Sequence, residues 1–237
     1  MSIEVAFTKQ NLETYLKELA KEFKKRGGGT HAEMILVGGA SVIINYGFRE
    51  ASYDIDASYE SPSVMKESII AVADKFGLPN DWVNDEFKKT SSYTYKIIQF
   101  SEYYKTFSNV LEIRTVRAEY LVAMKLVSGR QYKKDLSDVA GIVYEQKMAG
   151  KPLNYELIDK AVIDLYGDWS RVADHAKELL SRILECDDLE ALFIELSEDE
   201  ISAKEALAEV VKKYPGAVNQ DNVDDVIAAA LKKKRQN

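Results

Sequence analysis

The chain has 237 residues, of which 46% are hydrophobic, and carries a formal net charge of −7 from 39 acidic and 32 basic side chains. That length allows one large domain or two modest ones with real cores, whereas the acidic balance argues against a general nucleic-acid-binding domain. The single cysteine excludes an intrachain disulfide, and the two distant histidines argue against a structural zinc site and against histidine-based nucleophilic catalysis.

The sequence also predicts where the protein works. No apolar run approaches the twenty or so residues that cross a bilayer, so we expect no membrane partner. The first residues lack the charged-then-apolar order of a signal peptide. The lone thiol of Cys186 suits a reducing compartment, and we therefore expect a cytoplasmic protein.

Hydrophobic periodicity predicts alternating helices and strands in the first half of the chain. Leu12, Leu16 and Leu19 recur at helical spacing, whereas Ile55 and Ala57 alternate with polar residues as in a half-buried strand. The predicted elements are a helix at 9–25, a strand at 32–38, a helix at 40–48 closed by Gly47, a strand at 52–60, a helix at 63–77, and strands at 92–100 and 110–116.

The second half of the chain is predicted to be helical throughout. Ser197 and Glu200 have the spacing of a capping box, which indicates a helix start at Ser197. The predicted helices are 118–128, 134–148, 154–166, 169–184, 188–196, 197–213 and 222–234. The fold class is therefore α+β, with a small mixed sheet flanked by helices in residues 1–116 and an all-helical region in residues 117–237.

Asp54 and Asp56 are the first candidates for chemistry. Side chains two apart on a strand point to the same face, and two neighbouring carboxylates repel unless a cation lies between them. Mg²⁺, or Mn²⁺ with similar oxygen preference, suits such a pair because it completes its shell with waters and substrate phosphates. The alternative is an ordinary solvated strand face.

Gly38 and Gly39 lie between the first predicted strand and the next helix. Missing side chains there would let phosphates approach the backbone N–H groups of the helix N-terminus. Ser41 could add a hydroxyl contact and Arg49 a positive charge. The alternatives are a simple tight turn for the glycines and a solvated loop for Arg49.

In this order the two motifs resemble the signature of the polymerase-β-like nucleotidyltransferase superfamily. That signature is a hydrophobic residue with two small residues, about a dozen residues, and then Asp-hydrophobic-Asp. Here the corresponding segments are Val37–Gly39 and Asp54–Asp56. The resemblance implies a metal-dependent transfer of a nucleotidyl group from an NTP, with both aspartates as metal ligands.

A second stretch, residues 118–142, is similar to the helical motif of the AbiEii-like branch of abortive-infection and type IV toxin–antitoxin proteins. The matching positions are Lys125, Arg130, Asp135 and Asp138. The resemblance covers about residues 34–143 and implies that the helical region contributes these side chains to the site. Lys125 would contact phosphate, and the two aspartates would supply a third carboxylate in place of Glu112.

Each of these residues also has a purely structural interpretation. Lys125 could be a surface lysine that snorkels from an apolar helix. Asp135 could cap the next helix, predicted at 134–148, and complement its dipole. This interpretation applies less to Asp138, which lies one turn further into that helix. Glu112 could pair with Arg114 on the same strand face.

The predicted function is nucleotidyl transfer to a hydroxyl of RNA, such as a tRNA 3′ end, or of protein. The branch resemblance implies a toxin with a cognate antitoxin as partner, although fold kinship alone does not establish a biological role. Two rivals stay open: a non-catalytic relative that acts as an antitoxin or RNA-binding module, and a transferase that modifies a small antibiotic-like hydroxyl compound.

Overall fold

A mixed β-sheet organises the N-terminal part of the chain. The structure, a computed structural model, describes residues 5–59, 63–219 and 222–234, with the backbone alone for residues 233 and 234. It divides into two units, Met1–Met124 with Ile158–Asp168, and Lys125–Leu157 with Trp169–Asn237. The division predicted between residues 116 and 117 stays a prediction.

Five strands of the first unit form one sheet in the order β3-β2-β1-β5-β4. Their bounds are β1 Ala32–Leu36, β2 Ile55–Tyr59, β3 Val83–Asn84, β4 Ser101–Phe107 and β5 Leu111–Val116. The central strand β1 pairs antiparallel with β2 and parallel with β5. Ser108, Asn109 and Val110 connect β4 to β5. Ser108 and Asn109 have φ angles of 52° and 59°, and the Val110 N–H closes this tight turn on the Phe107 carbonyl at 3.1 Å.

The helices of the first unit cover this sheet with apolar faces. Helix α1, Lys9–Gly27, buries Leu12, Leu16, Leu19 and Phe23 as their spacing predicts. Its first turn is fixed by a capping box between Thr8 and Asn11. Helix α2 is Gly38–Asn45 and helix α3 is Ser63–Phe76, and the core joins residues of both to α1 and to the strands. Helix α4, Ala118–Ser128, begins in this unit.

The second unit is helical in its described residues, as predicted. Its main elements are α5 Asp135–Met148, α7 Asp174–Glu185, α8 Leu189–Lys213 and α9 Val223–Lys234, and helix α6, Tyr155–Tyr166, has residues in both units. Helix α8 packs against α5 and α9. The mixed sheet followed by helices confirms the predicted α+β class.

Several predicted boundaries are wrong. Helix α2 ends at Asn45 and is not closed by Gly47, β2 begins only at Ile55, and residues 169–184 are not one helix, because α7 begins at Asp174. Residues 92–100 do not form a strand: Tyr95–Phe100 is a 3₁₀ helix, started by the Thr94 hydroxyl, which accepts a bond from the Lys96 N–H. The predicted break at Ser197 is also absent, because α8 continues through it. The Ser197 hydroxyl donates to the carbonyl of Phe193 at 2.8 Å, one turn back in the same helix.

Candidate functional site

The Gly38–Gly39 turn leads directly from β1 into α2. Gly38 has a φ angle of +52°, which glycine adopts without steric cost. A Cβ atom added at Gly38 would lie 3.6 Å from the Oδ2 atom of Asp56. One added at Gly39 would lie 2.5 Å from the Ser52 Oγ atom and 2.7 Å from the Arg49 Nη2 atom. At this turn, backbone without side chains therefore lies against the Asp56 carboxylate and the Arg49 guanidinium.

Arg49 is held beside this turn by its own loop. Its Nε–H donates to the carbonyl of Ala51 at 3.2 Å, and its Nη2 lies 3.4 Å from the Ser52 Oγ. The Ser52 hydroxyl in turn donates to the Asp54 Oδ1 at 3.2 Å. Arg49, Ser52 and Asp54 thus form a continuous polar chain.

Ser52 anchors that chain and was missed by sequence reasoning. Its side chain is fully buried, and its backbone exchanges two hydrogen bonds with Phe7, of 2.7 and 2.9 Å. A serine two positions before an aspartate carries no signal of this role, because the contact to Phe7 spans 45 residues. The bridge fixes the loop that presents Arg49 and Asp54.

Asp54 and Asp56 occupy different environments. Strand β2 begins only at Ile55, so Asp54 lies in the bend before it and is exposed, whereas Asp56 lies within the strand and is half-buried. The Val37 N–H donates to the backbone carbonyl of Asp56 at 3.0 Å, which joins β2 to the end of β1. Asp56 is therefore fixed at the glycine turn by its backbone and faces Gly38 with its side chain.

Two carboxylates at and beside this turn are the candidate ligands for a hard divalent cation. Across the described ranges 5–59, 63–219 and 222–234, no group of three or more histidine, cysteine, aspartate or glutamate side chains is arranged to hold a metal ion. Asp54 and Asp56 could hold one as a pair. Mg²⁺ is commonly bound by one or two carboxylates, with waters and substrate phosphates completing its shell.

Ser41, predicted to contact phosphate, has a structural role in this conformation. Its side chain is fully buried, and its Oγ accepts a hydrogen bond from the Val116 N–H at 3.3 Å, which ties α2 to β5. Its contact with phosphate stays a prediction. Glu112, the alternative third carboxylate, is bonded to Arg114 at 2.8 Å, as its structural interpretation predicts.

The second predicted set of residues forms one cluster in the other unit. The Lys125 Nζ atom lies 2.8 Å from Asp135 Oδ1 and 2.8 Å from Asp138 Oδ2. Arg130 donates to Asp135 as well, with its Nε 2.7 Å from Oδ2 and its Nη2 3.3 Å from Oδ1. Lys125, Arg130, Asp135 and Asp138 are called the Lys125 cluster below.

Burial decides between the interpretations of these residues. Lys125 is only 6% exposed, so it does not snorkel to the surface. Asp135 is 1% exposed and does not cap α5, whose N-cap position is Lys134. Burial tends to raise the pKa of Asp135, but the charge of Lys125 and the Arg130 hydrogen bond outweigh it and hold that pKa well below its ordinary value. The cluster therefore joins the buried side chains of Lys125, Asp135 and Asp138, with the half-exposed Arg130 at its edge.

A third buried carboxylate, Glu200, lies next to this cluster and was assigned wrongly from the sequence. Its Oε1 accepts hydrogen bonds from the N–H groups of Leu136 and Ser137, at 2.9 and 3.2 Å. It does not form a capping box with Ser197. The contact joins α8 to α5 across more than sixty residues, and local spacing could not reveal it.

The comparison with protein families agrees with the geometry of the glycine turn. A family model described as "Nucleotidyltransferase of unknown function (DUF6036)" matches residues 14–165, well over half of the chain. The chain belongs to this family. We found no match among curated proteins and none among solved structures. The matched region of this nucleotidyltransferase contains both the glycine turn and the Lys125 cluster, whereas Glu200 lies outside it.

Family membership supports the superfamily predicted from the two motifs, and it leaves the AbiEii-like branch as a proposal. In the part of the chain that the structure describes, no helix is long and apolar enough to cross a membrane. The two groups of predicted site residues belong to different units, with Gly38, Gly39, Arg49, Asp54 and Asp56 in the first and the Lys125 cluster in the second.

Proposed function

We propose that this nucleotidyltransferase transfers an NMP group from an NTP to the hydroxyl of an RNA acceptor, such as a tRNA 3′ end. One observation carries the proposal: the Asp56 carboxylate and the Arg49 guanidinium both lie against the Gly38–Gly39 turn that starts α2. A strand-to-helix turn without side chains offers backbone N–H groups to a triphosphate. Arg49 adds positive charge there, and Asp56 adds a metal ligand.

Asp54 and Asp56 would hold the Mg²⁺ or Mn²⁺ ion that the superfamily resemblance implies. When bound, such an ion supplies positive charge to the phosphates and makes the attacking hydroxyl more acidic. The chain contributes the placement of the two carboxylates. The Val37–Asp56 backbone bond fixes one of them, and the Ser52 hydroxyl orients the other.

In the proposed reaction the acceptor oxygen forms a bond to the α-phosphorus of the NTP. The bond from that phosphorus to the α,β-bridging oxygen breaks, and pyrophosphate leaves with the electron pair. The hydroxyl proton passes to a carboxylate. The AbiEii-like resemblance implies that Asp138 supplies a third carboxylate and that Lys125 offsets phosphate charge.

The Lys125 cluster supports these further roles. Four residues selected by resemblance to the AbiEii-like motif come together through contacts of 2.7–3.3 Å, although they are spread over fourteen positions. The loop before α5 also presents Lys133 and Lys134 to solvent, which suits the phosphates of an RNA acceptor. On this basis we extend the proposal to a toxin of a toxin–antitoxin or abortive-infection module, with a cognate antitoxin as partner.

A label-transfer assay tests the activity. The protein is incubated with Mg²⁺, total RNA and each NTP labelled in turn on the α- or the γ-phosphate. Transfer of the α-label to RNA, with no transfer of the γ-label, is the expected result. Label on protein or on a small hydroxyl compound would redirect the proposal to that acceptor.

The matched variants separate catalysis from stability. Asp54→Asn/Asp56→Asn removes the proposed metal ligands, and the expected loss of transfer is on the order of 100-fold or more. Asp74→Asn removes an exposed aspartate of α3 and serves as the control. If no acceptor is labelled, and if the double variant and the wild type affect host growth equally, the protein is a non-catalytic relative.

A further inference from the structure

Glu200 is a buried carboxylate that binds the start of another helix. It lies in α8 and is 6% exposed. Its Oε1 accepts from the Leu136 and Ser137 N–H groups at 2.9 and 3.2 Å, and its Oε2 is bonded to the Ser137 hydroxyl. These bonds use both carboxylate oxygens on the first turn of α5.

Helix α5 needs such a partner. The first N–H groups of a helix have no acceptor within the helix. The N-cap residue of α5, Lys134, provides no side-chain cap, and the Asp135 side chain is committed to Lys125 and Arg130. The side chain of Glu200 in α8 therefore serves as the cap, because its oxygens accept the bonds that these N–H groups need.

The bonds of Glu200 lie between the two aspartates of the Lys125 cluster. Leu136 and Ser137, whose N–H groups it binds, separate Asp135 from Asp138. Any shift or fraying of this turn would change where both aspartates point. Both must be placed closely, since each lies 2.8 Å from the same Lys125 ammonium.

We propose that Glu200 is a positioning residue for nucleotidyl transfer, which holds the first turn of α5 so that Asp135 and Asp138 keep their orientation toward Lys125. The proposal rests on the proposed function. It gives the C-terminal helices a role beyond the region that the family model matches, because α8 supplies the residue.

The test compares three changes in the full chain. Glu200→Ala removes every bond to α5, whereas Glu200→Gln keeps an oxygen for the two N–H groups and an amide that can donate to the Ser137 hydroxyl. Glu198→Gln removes an exposed carboxylate from the same helix and is the control. The measurements are kcat and KM for the NTP, together with hydrogen exchange at the Leu136 and Ser137 amides.

We expect Glu200→Ala to lower kcat by about 10–100-fold with little change in KM, as supporting residues of catalytic groups do, and to speed exchange at both amides. Glu200→Gln should restore most of kcat. Ser137→Ala, which removes only the hydroxyl contact, should lower kcat by a smaller factor. This variant tests the proposal even if Glu200→Ala does not fold.

The outcomes distinguish the two proposals. If the wild type transfers label and Glu200→Ala has the same kcat as Glu198→Gln, Glu200 does not position the aspartates. Where Glu200→Ala does not fold, the same result for Ser137→Ala leads to the same conclusion. Unchanged exchange at the two amides in Glu200→Ala would overturn the proposal in the same way. If the wild type transfers no label, the proposed function fails, while the exchange measurement still reports whether Glu200 holds α5.

Discussion

The Arg49 guanidinium occupies the space that Gly39 leaves beside its backbone. Its Nη2 atom lies 2.7 Å from the position of a Cβ atom at residue 39, and the buried Ser52 Oγ lies even nearer, at 2.5 Å. Real Cβ atoms do not approach other atoms so closely. Glycine at position 39 is therefore a condition for the placement of Arg49, independently of any requirement for an unusual φ angle.

Gly39→Ala should displace Arg49, because Ser52 is held by its two backbone bonds to Phe7 and cannot retreat. We expect a rise in KM for the NTP, since Arg49 would no longer offer its charge at the turn, and a loss of stability of about 1–3 kcal/mol from overpacking. Steady-state kinetics and urea denaturation measure the two effects.

Gly27→Ala is the matched control for that substitution. A Cβ atom there would meet the Val64 Cγ1 atom at 3.6 Å, an ordinary contact distance. We expect little change in stability or in KM. If Gly39→Ala behaves like Gly27→Ala, Arg49 is not confined by the turn as the structure indicates.

Lys125→Met should strongly destabilise the protein. It leaves Asp135 with Arg130 as its remaining ion-pair partner and takes the ammonium from Asp138, both in a buried setting. Removing one partner from a buried ion pair typically costs about 3–5 kcal/mol. Chemical denaturation of the variant gives the value directly.

Lys89→Met provides the comparison, because Lys89 forms an exposed ion pair with Glu86 and is 74% exposed. Exposed pairs contribute about 0–1 kcal/mol. A further variant, Lys125→Met/Asp138→Asn, should lose less than the sum of the two single losses, since the neutral amide needs no counter-charge. Strict additivity would show that Lys125 and Asp138 do not interact.

Local patterns predicted the elements whose partners are close in sequence. The helical spacing of Leu12, Leu16 and Leu19 gave the buried face of α1, and the alternation of Ile55 with Ala57 gave β2. Tyr53, which the strand predicted at 52–60 includes, lies outside β2 and is 57% exposed. Periodicity identifies an element more reliably than its ends.

The sequence motif identified the residues of the Lys125 cluster but not the Glu200 contact, for a physical reason. Lys125 and Asp138 are thirteen positions apart on consecutive helices, so a linear motif can record them. Glu200 meets Ser137 only because α8 packs against α5. The spacing of Glu200 from Ser197 also matches a capping box. Only the three-dimensional packing shows that Glu200 binds the start of α5 instead.

The proposed metal site predicts binding that depends on the nucleotide. Asp54 and Asp56 offer two carboxylates, so Mg²⁺ would need phosphate oxygens to complete a strong site. Titration calorimetry should therefore detect tighter Mg²⁺ binding with a non-hydrolysable NTP analogue than without it, and the Asp54→Asn/Asp56→Asn variant should lose this difference while Asp74→Asn keeps it. Tight Mg²⁺ binding without nucleotide, or label transfer in excess EDTA, would contradict the site.

Glu200 also predicts how stability changes with pH. Burial raises its pKa from 4.5 to about 7, against the opposing effect of the Ser137 hydrogen bonds, and the Asp138 charge adds to the rise. Because the raised pKa belongs to the folded state, the protonated carboxyl favours folding. This contribution is complete below pH 4.5 and is lost as the pH rises through about 7.

Replacing Glu200 with glutamine, which does not titrate, should remove that loss of stability. The free energy of unfolding of the wild type minus that of Glu200→Gln should fall by about 2 kcal/mol between pH 5 and pH 8, since each unit of pKa shift corresponds to about 1.4 kcal/mol. Comparison with Glu200→Gln separates the effect of Glu200 on stability from that of Asp135. The lowered pKa of Asp135 makes the protein lose stability as the pH falls into the acid range. Urea denaturation of both proteins across this range measures the difference. A difference that stays constant or grows with pH would show that Glu200 is already ionised at pH 5 in the folded protein.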